Sequence, residues 1–338
     1  MSQHKLALST ACGALLLGAA TLTAFEVRAA DLEKVHFQWS WIPTGEYAPI
    51  SAGMEKGFYE EVGIDLSIAT GRGSGDAVKK VAGGGGEFGD GDIAAVMAAR
   101  VRNNAPIKCI MSEHTHSPHA FFVLESSGIN SVSDLKGKKL VTTPGNSHFL
   151  YFPLVAKLGG LDPNDVEWIM ADATPMGSML MTKQVDSAPM FATHEYVQGK
   201  QAKKVGEKIK VLPYADYGFE IYSYCIYATE KTLNEKPDMV RRFLEATVRS
   251  FRWAKDNPEE AAEIHNKRFP EVAKDDALGA LRVMNAYFFN ERSEKVGFGC
   301  YDDAQLANSY KVVSEAQDLD PNYDYKQIVT EEFLPHCN

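Results

Sequence analysis

The alternation that indicates the fold class begins at residues 35–41 with VHFQWSW, a run of β-branched and aromatic side chains that predicts a strand. A helical pattern follows at 47–62, a second strand at 64–70 and a second helix at 76–81. Strands that alternate with helices are typical of βαβ units, whose strands lie parallel in one sheet. This segment therefore predicts an α/β fold with a mainly parallel sheet.

The same alternation resumes in two further sets. The first set is a helix at 92–102 and strands at 107–111 and 121–125, and the second comprises strands at 138–143, 166–170 and 188–191 with helices after 146 and at 176–183. Two α/β lobes fit these sets better than one large sheet. After a strand at 222–229 the patterns become long helices, expected at 237–256, 258–268 and 274–289.

Composition excludes several classes of protein. The 338 residues are 45% hydrophobic and 24% charged, which is typical of a globular chain. The 45 acidic side chains outnumber the 35 basic ones, so the formal charge is −10. A negative surface repels phosphate backbones, and we therefore expect no nucleic-acid partner.

The N-terminus has the layout of a secretory signal peptide. Lys5 precedes an apolar stretch at 6–22, and Val27-Arg28-Ala29-Ala30 resembles a cleavage site. The stretch contains Gly13 and Gly18 and is shorter than the roughly 20 apolar residues of a stable span, which disfavours a retained anchor. We predict a signal peptide at 1–29 and a periplasmic mature protein.

Four cysteines follow the predicted cleavage site, namely Cys109, Cys225, Cys300 and Cys337. An even number in an exported chain permits up to two disulfides, and the spacings are too wide for a CxxC redox or zinc motif. Cys300 with Cys337 is the favoured pair because it ties down the C-terminal tail, while buried free thiols explain the count almost as well.

A set of motifs spread over nearly the whole mature chain resembles one protein family in order and spacing. The motifs are WIP at 41–43, YAP at 47–49, EKGFY at 55–59, GIDL at 63–66, GRGSG at 71–75, GEFG at 86–89, DLKGKK at 134–139, TPG at 143–145, GGLDP at 159–163 and QVDSA at 184–188. They resemble the NMT1/THI5-like periplasmic solute-binding proteins, which are similar to the taurine, nitrate and thiamine-precursor receptors of ABC importers.

The resemblance implies a type II periplasmic-binding fold, in which two α/β lobes joined by two crossover segments close over a ligand cleft. Crossovers near 122–125 and 223–227 divide the chain into lobe 1 at 30–124 and 226–338 and lobe 2 at 125–225. The implied partners are a small-molecule ligand and an ABC permease in the inner membrane. We expect a monomer without a cofactor.

Two predicted helix starts offer free backbone N–H groups to a ligand. Ser74 and Gly75 begin one helix, and Gly145, Asn146 and Ser147 begin another after a strand. Helix N-termini attract acidic or oxygen-rich groups, although simple capping explains the same residues. All five are candidate ligand contacts.

Aromatic and acidic residues form a second group of candidates. Trp39 and Trp41 end the first strand, where parallel sheets place their ligands, and an indole stacks on a flat heterocycle or a cation. The full group of candidates of these two kinds is Trp39, Trp41, Tyr47, Asp90, Asp92 and Glu195. The carboxylates among them favour a ligand that donates hydrogen bonds.

Histidines are concentrated at His114, His116 and His119, more densely than is usual in the resembling family. They either line the cleft, hold a metal or lie on the surface, and His116 is the candidate ligand residue.

Two apparent catalytic motifs lack the residues or the neighbouring elements that their chemistry needs. The glycines of 84–89 follow a helix where a dinucleotide site needs a strand, and His194-Glu195 lacks the second histidine of a zinc protease motif.

The sequence therefore predicts an exported receptor, and no enzyme, for a small planar nitrogen-containing metabolite of the pyrimidine or thiamine-precursor type. A sulfonate or nitrate receptor is the alternative within the same class. A THI5-type pyrimidine-synthesising enzyme is the alternative from another class, and a metal-scavenging receptor that uses the histidines comes third.

Overall fold

Two five-stranded sheets organise the chain in the computed structural model, which describes residues 32–337. The strands are β1 (Glu33–Gln38), β2 (Ile64–Ala69), β3 (Phe88–Asp92), β4 (Ile107–Ser112), β5 (His119–Leu124), β6 (Lys139–Thr142), β7 (Glu167–Met170), β8 (Ser187–Phe191), β9 (Ile209–Pro213) and β10 (Tyr224–Thr229). The first sheet has the order β2-β1-β3-β10-β4 and the second the order β7-β6-β8-β5-β9. The predicted α/β class is confirmed.

In each sheet one strand runs antiparallel to its neighbours, and that strand follows a chain segment that belongs to the other sheet. β1 pairs parallel with β2 and β3, whereas β10 runs antiparallel between β3 and β4. In the second sheet β6 pairs parallel with β7 and β8, and β5 runs antiparallel between β8 and β9. The chain therefore crosses between the sheets twice, once before β5 and once before β10.

One strand, β5, belongs to a different sheet from the one that the expected crossovers imply. The sequence placed residues up to 124 in the first lobe, but β5 pairs with β8 and β9 of the second sheet. All six residues of this strand are buried. A strand buried on both faces has no polar alternation, so its sequence does not show which sheet it joins.

Thirteen α-helices cover the sheets within residues 32–337. They are α1 (Ala48–Glu55), α2 (Phe58–Glu61), α3 (Ser74–Ala82), α4 (Ile93–Asn103), α5 (Ser147–Leu158), α6 (Met176–Met181), α7 (Glu195–Lys204), α8 (Glu230–Glu235), α9 (Pro237–Asp256), α10 (Pro258–Arg268), α11 (Lys274–Phe288), α12 (Glu291–Val296) and α13 (Asp303–Gln317). The helix expected at 47–62 is broken into α1 and α2. The break falls at Gly57, whose φ of 73° lies in the left-handed region that glycine adopts without strain.

The core has two large parts. In one part α9 packs on the first sheet, where the rings of Phe88 and Phe243 stack with centroids 3.9 Å apart. The other part joins α4 of the first sheet to β5, α5 and α13, so the two sheets share apolar packing on one side.

Both cysteine pairs are bonded. Cys300–Cys337, the pair favoured from the sequence, joins the segment before α13 to the C-terminal tail, and Cys109–Cys225 joins β4 to β10. Among residues 32–337, no helix combines the length and the apolar character needed to cross a membrane. The predicted signal peptide at 1–29 lies outside the described residues.

Candidate ligand-binding cleft

A cavity of about 230 Å³ lies between the two sheets. Its walls come from the loop after β1, the starts of α3 and α5, the end of β8, the helix α7 and the start of α11. Four candidates from the sequence line it together, namely Trp41, Ser74, Asn146 and Ser147. Loops at strand ends and two helix N-termini thus converge, as they do in α/β ligand sites.

Trp39 and Tyr47 lie outside the lining. Trp39 is fully buried, and its indole stacks on the Tyr47 ring with centroids 4.1 Å apart and planes 13° apart. Phe269 packs on the same indole from another direction. Because β1 ends at Gln38, the two tryptophans lie in the loop after the strand and do not share a strand face, and of the two only Trp41 lines the cavity.

The two candidate glycines face each other across the lobes. The Gly75 N–H donates a 3.4 Å hydrogen bond to the Gly145 carbonyl, and the Thr143 hydroxyl donates to the Arg72 carbonyl at 3.1 Å. Neither glycine lines the cavity. The backbone N–H that was expected to meet a ligand at Gly75 is used to join the lobes.

Asp90 and Asp92 lie beneath the cleft, outside its lining. Asp90 accepts the Ser40 N–H at 2.6 Å, and burial raises its pKa to about 7. Asp92 accepts the Ser223 hydroxyl at 2.9 Å and the Tyr151 hydroxyl, and burial raises its pKa to about 6. The Asp90 carboxyl group thus links β3 to the loop after β1, and the Asp92 carboxyl group links β3 to α5 and to the residue before β10.

The three histidines that were expected to act together lie in different surroundings. His116 lies 3.3 Å from Glu220 away from the cavity, while the His114 ring stacks on Tyr224 with centroids 5.1 Å apart. His119 Nε2 lies 2.9 Å from Ser147 Oγ, directly behind the cavity wall. No candidate metal cluster of the described chain includes any of the three.

Glu195 lies at the start of α7 and is exposed. It faces a shallow groove against α11 instead of the main cavity.

Glu46 is a buried acidic residue that lines the cavity, and sequence reasoning missed it. It is 7% exposed, and the Thr193 hydroxyl donates to its Oε2 atom at 3.2 Å. Burial is the largest influence on this carboxyl and raises its pKa to about 7. The available signal was its place in the loop that follows the first parallel strand.

Further polar residues line the cavity without having been expected, among them His148, His194 and Gln198. Burial lowers the pKa of His148 to about 3 and that of His194 to about 4, so both imidazoles are neutral at pH 7. His148 Nδ1 lies 2.9 Å from the Asn146 side-chain oxygen, which assigns its proton to Nδ1. His148 Nε2 and Gln198 Oε1 are buried with no hydrogen-bond partner among the described residues.

The lining has no positive charge. Within residues 32–337, no Lys or Arg side chain contributes to it, while Glu46, Glu271 and Asp276 do. Lys200 binds Asp276 at 2.6 Å from outside the cavity. The apolar part of the wall includes Trp41, Met176, Met190 and Phe191.

Comparison with known proteins decides the family. The family model described as NMT1/THI5 like matches residues 44–261 of the 338. The chain belongs to the NMT1/THI5-like family.

Relatives that are similar to this chain include proteins named as binding proteins and as enzymes. A riboflavin-binding protein, RibY of Chloroflexus aurantiacus, is 28% identical over 90% of this chain and 87% of its own. A formylaminopyrimidine-binding protein of Halalkalibacterium halodurans is 24% identical over 69% and 70%. A 4-amino-5-hydroxymethyl-2-methylpyrimidine phosphate synthase of Legionella pneumophila is 22% identical over 88% and 90%.

Solved structures share the fold of this NMT1/THI5-like chain. The ligand-binding component of an ABC-type import system from Staphylococcus aureus matches with a TM-score of 0.68 and 13% identity, over 90% of this chain and 99% of that one. The alkanesulfonate-binding protein SsuA of Xanthomonas axonopodis matches with a TM-score of 0.66 and 12% identity, over 89% and 99%. The predicted periplasmic-binding fold is confirmed.

Proposed function

We propose that this protein is an exported solute-binding receptor that captures a small planar nitrogen heterocycle and delivers it to an ABC permease. Membership of the NMT1/THI5-like family and the shared fold support the receptor role. Export rests on the signal-peptide pattern at 1–29. The ligand class rests on the cavity.

The observation that carries the ligand class is the hydrogen-bonding character of the lining. His148 Nε2 and Gln198 Oε1 are buried acceptors without partners, and Glu46 adds a carboxyl group. The oxygens of a sulfonate or nitrate group are only acceptors, so such a group leaves these atoms unpaired at a cost of about 1 to 3 kcal/mol each. A heterocycle with ring and exocyclic N–H groups pairs with them.

The absence of a counter-charge supports the same choice. An anion in a buried site needs an opposite charge or several N–H donors. No Lys or Arg side chain lines the cavity within the described chain, and its two histidines are neutral at pH 7. Helix N-termini at Ser74 and Ser147 remain the favourable elements for an anion, each worth roughly 0.3 to 1 kcal/mol when exposed.

Apolar walls suit a flat ring. Trp41 and Phe191 offer aromatic faces, and Met176 and Met190 add polarisable thioethers. Ligand sites generally combine such walls with a few placed polar groups. The riboflavin and formylaminopyrimidine bound by two relatives are both nitrogen heterocycles, which is consistent with this class.

We further propose that binding proceeds without turnover. The relative named as a synthase is 22% identical, compared with 28% for the riboflavin-binding protein. With the crossings described above, one lobe comprises 32–112 and 224–337 and the other 119–213. We expect these two lobes to close over the ligand by a hinge motion.

Isothermal titration of the purified mature chain tests the ligand class. The panel is 4-amino-2-methylpyrimidine, riboflavin, taurine and nitrate, with Trp41→Ala as the cavity variant and Trp39→Phe as its matched core control. We expect a heterocycle to bind wild type and the Trp39 variant and to bind the Trp41 variant at least tenfold more weakly. Binding of taurine or nitrate alone contradicts the proposed class.

A further inference from the structure

The C-terminal tail is tied to the segment between α12 and α13 by the Cys300–Cys337 disulfide. Cys337 lies in the short 3₁₀ segment Pro335–Cys337, with His336 directly before it. Cys300 Sγ, Cys337 Sγ and a ring nitrogen of His336 all lie within 4.8 Å of one another. Among residues 32–337, this is the one group of three or more His, Cys, Asp and Glu side chains close enough to hold a single metal ion.

The His336 ring has the tautomer that a metal ligand needs. Its Nε2 atom lies 2.8 Å from the Phe298 carbonyl oxygen, and a carbonyl only accepts hydrogen bonds, so the neutral ring carries its proton on Nε2. Nδ1 therefore keeps its lone pair. Metal-binding histidines almost always donate the other ring N–H in this way, to a carbonyl, a carboxylate or water.

Gly297 allows the two cysteines and the histidine to meet. It has a φ of 101°, and a Cβ atom there would lie 2.7 Å from Cys300 Sγ and 3.4 Å from His336 Cδ2. A side chain at this position would push the tail away. The nearby Gly299 carbonyl accepts the Ser112 N–H at 2.7 Å, which fixes the segment that carries Cys300 to the end of β4.

The two disulfides differ in their access to a reductant. Cys109 and Cys225 are both fully buried, whereas Cys337 is partly exposed. A dithiol that attacks Cys337 Sγ breaks the S–S bond and expels the Cys300 thiolate, and its second thiol then displaces Cys337 from the mixed disulfide. The reductant leaves as a disulfide, and the cysteine pair has gained two electrons.

We propose that reduction of Cys300–Cys337 converts this link into a Zn²⁺ site, with the two thiolates and His336 Nδ1 as ligands and water in the fourth position. Two sulfurs and one imidazole nitrogen form a donor set that suits Zn²⁺, and the two thiolates balance its charge. Each thiol releases its proton when the metal binds.

The change from disulfide to metal site needs only a small movement. Zn–S bonds of about 2.3 Å in tetrahedral geometry place the two sulfurs about 4 Å apart. A disulfide holds them about 2 Å apart, so the tail has to shift by roughly 2 Å. Zinc and the disulfide then hold the tail in nearly the same place, each in its own redox state.

Local motifs do not indicate this site, because 37 residues separate the two cysteines. Zinc motifs usually place cysteines two to four residues apart. The simpler alternative is a structural disulfide that binds no metal after reduction. The two accounts differ in what the reduced protein binds.

Zinc titration of the reduced and the oxidised protein tests the site. A phosphine replaces the dithiol as reductant, because dithiols bind zinc themselves, and it is removed under nitrogen before the titration. We expect two free thiols per chain, which alkylation and peptide mass analysis assign to Cys300 and Cys337. Competition with a chromogenic chelator is expected to give one bound Zn²⁺ per reduced chain and none per oxidised chain.

Two further measurements report the ligands and the tail. With Co²⁺ in place of Zn²⁺, the reduced protein is expected to show the charge-transfer absorption of a thiolate-bound metal. Zinc is expected to raise the Tm of the reduced protein and to leave that of the oxidised protein unchanged, because only the reduced protein binds it.

His336→Ala keeps both cysteines and is expected to weaken zinc binding by the reduced protein at least tenfold. His36→Ala is the matched control, since His36 is an exposed histidine of β1 outside the candidate metal cluster. Its zinc affinity is expected to equal that of wild type.

Each contrary outcome overturns the proposal. Two free thiols without zinc binding leave a plain disulfide. Zinc binding that is equal in the oxidised and reduced protein, or undiminished in His336→Ala, places the metal elsewhere. A pair that stays oxidised in the folded protein removes the redox step. The comparison of reduced with oxidised wild type needs no variant, so a misfolded variant does not decide the result, and no outcome bears on the receptor function.

Discussion

The Thr193 hydroxyl lies 3.2 Å from Glu46 Oε2 and donates a hydrogen bond across the cleft. Glu46 belongs to the loop after β1, and Thr193 to the turn after β8. Together with the Gly75 N–H that donates to the Gly145 carbonyl, this bond shows the two lobes in contact around the cavity. The structure therefore describes a closed cleft.

Removal of the cross-cleft hydroxyl tests whether this bond supports binding. Thr193→Val keeps the shape of the side chain and removes the donor, so we expect the ligand Kd to rise by about 2- to 10-fold, which corresponds to a net hydrogen bond of roughly 0.5 to 1.5 kcal/mol. Calorimetric titration measures it. An unchanged Kd would mean that the bond does not contribute to closure.

The two tryptophans near the first strand are expected to respond oppositely. Trp39→Ala removes a fully buried indole that stacks on Tyr47, and we expect it to lower the free energy of unfolding by about 3 to 5 kcal/mol. Trp41→Ala removes a cavity wall and is expected to weaken ligand binding with a smaller loss of stability. Urea unfolding and titration on both variants separate the effects. The reverse pattern would place Trp39 in the site.

Gly177 controls the position of Gln198. A Cβ atom at Gly177 would lie 2.7 Å from both the oxygen and the nitrogen of the Gln198 carboxamide. Gly177→Ala is therefore expected to displace Gln198 Oε1 from the cavity and to weaken ligand binding several-fold. Gly199→Ala is the control, because a Cβ there meets nothing within 4 Å. Equal ligand affinity in both variants would show that Gln198 does not contact the ligand.

The protonation of Glu46 also gives a pH signature. Its pKa is raised by burial from 4.5 to about 7, so the folded state holds a proton that the unfolded state loses. Protonated Glu46 contributes its full amount to the free energy of unfolding below about pH 4.5, and this contribution is lost as the pH rises to about 7. The free energy of unfolding falls over this range by at most about 1.4 kcal/mol per pH unit.

Comparison with Glu46→Gln isolates this contribution, because buried histidines such as His148, with a lowered pKa, act in the opposite direction. We expect wild-type stability relative to the variant to fall between about pH 4.5 and pH 7 and to stay level above it. Urea unfolding across this range measures the difference. A constant difference would show that Glu46 ionises normally.

The fold was largely predictable because alternating strands and helices have strong local patterns. The assignment of β5 failed because its six buried residues carry no face preference. Trp41, Ser74, Asn146 and Ser147 were found in the cavity because strand ends and helix starts mark the edge of a parallel sheet.

The polar residues that complete the cavity have weaker local signals. Glu46 lies in a loop without periodicity, and Gln198 lies within α7, a helix that the sequence patterns did not predict. The burial of each depends on contacts between the two lobes. Local sequence patterns do not show such long-range packing. For the same reason Glu195, and not Glu46, was expected to line the cavity.

The most direct test of the central claim is native mass spectrometry of the purified, ligand-free protein with an equimolar mixture of 4-amino-2-methylpyrimidine, riboflavin, taurine and nitrate. We expect one heterocycle bound per chain, released on denaturation with its mass unchanged. A complex with taurine or nitrate in place of a heterocycle, or the appearance of a product mass, would contradict the account.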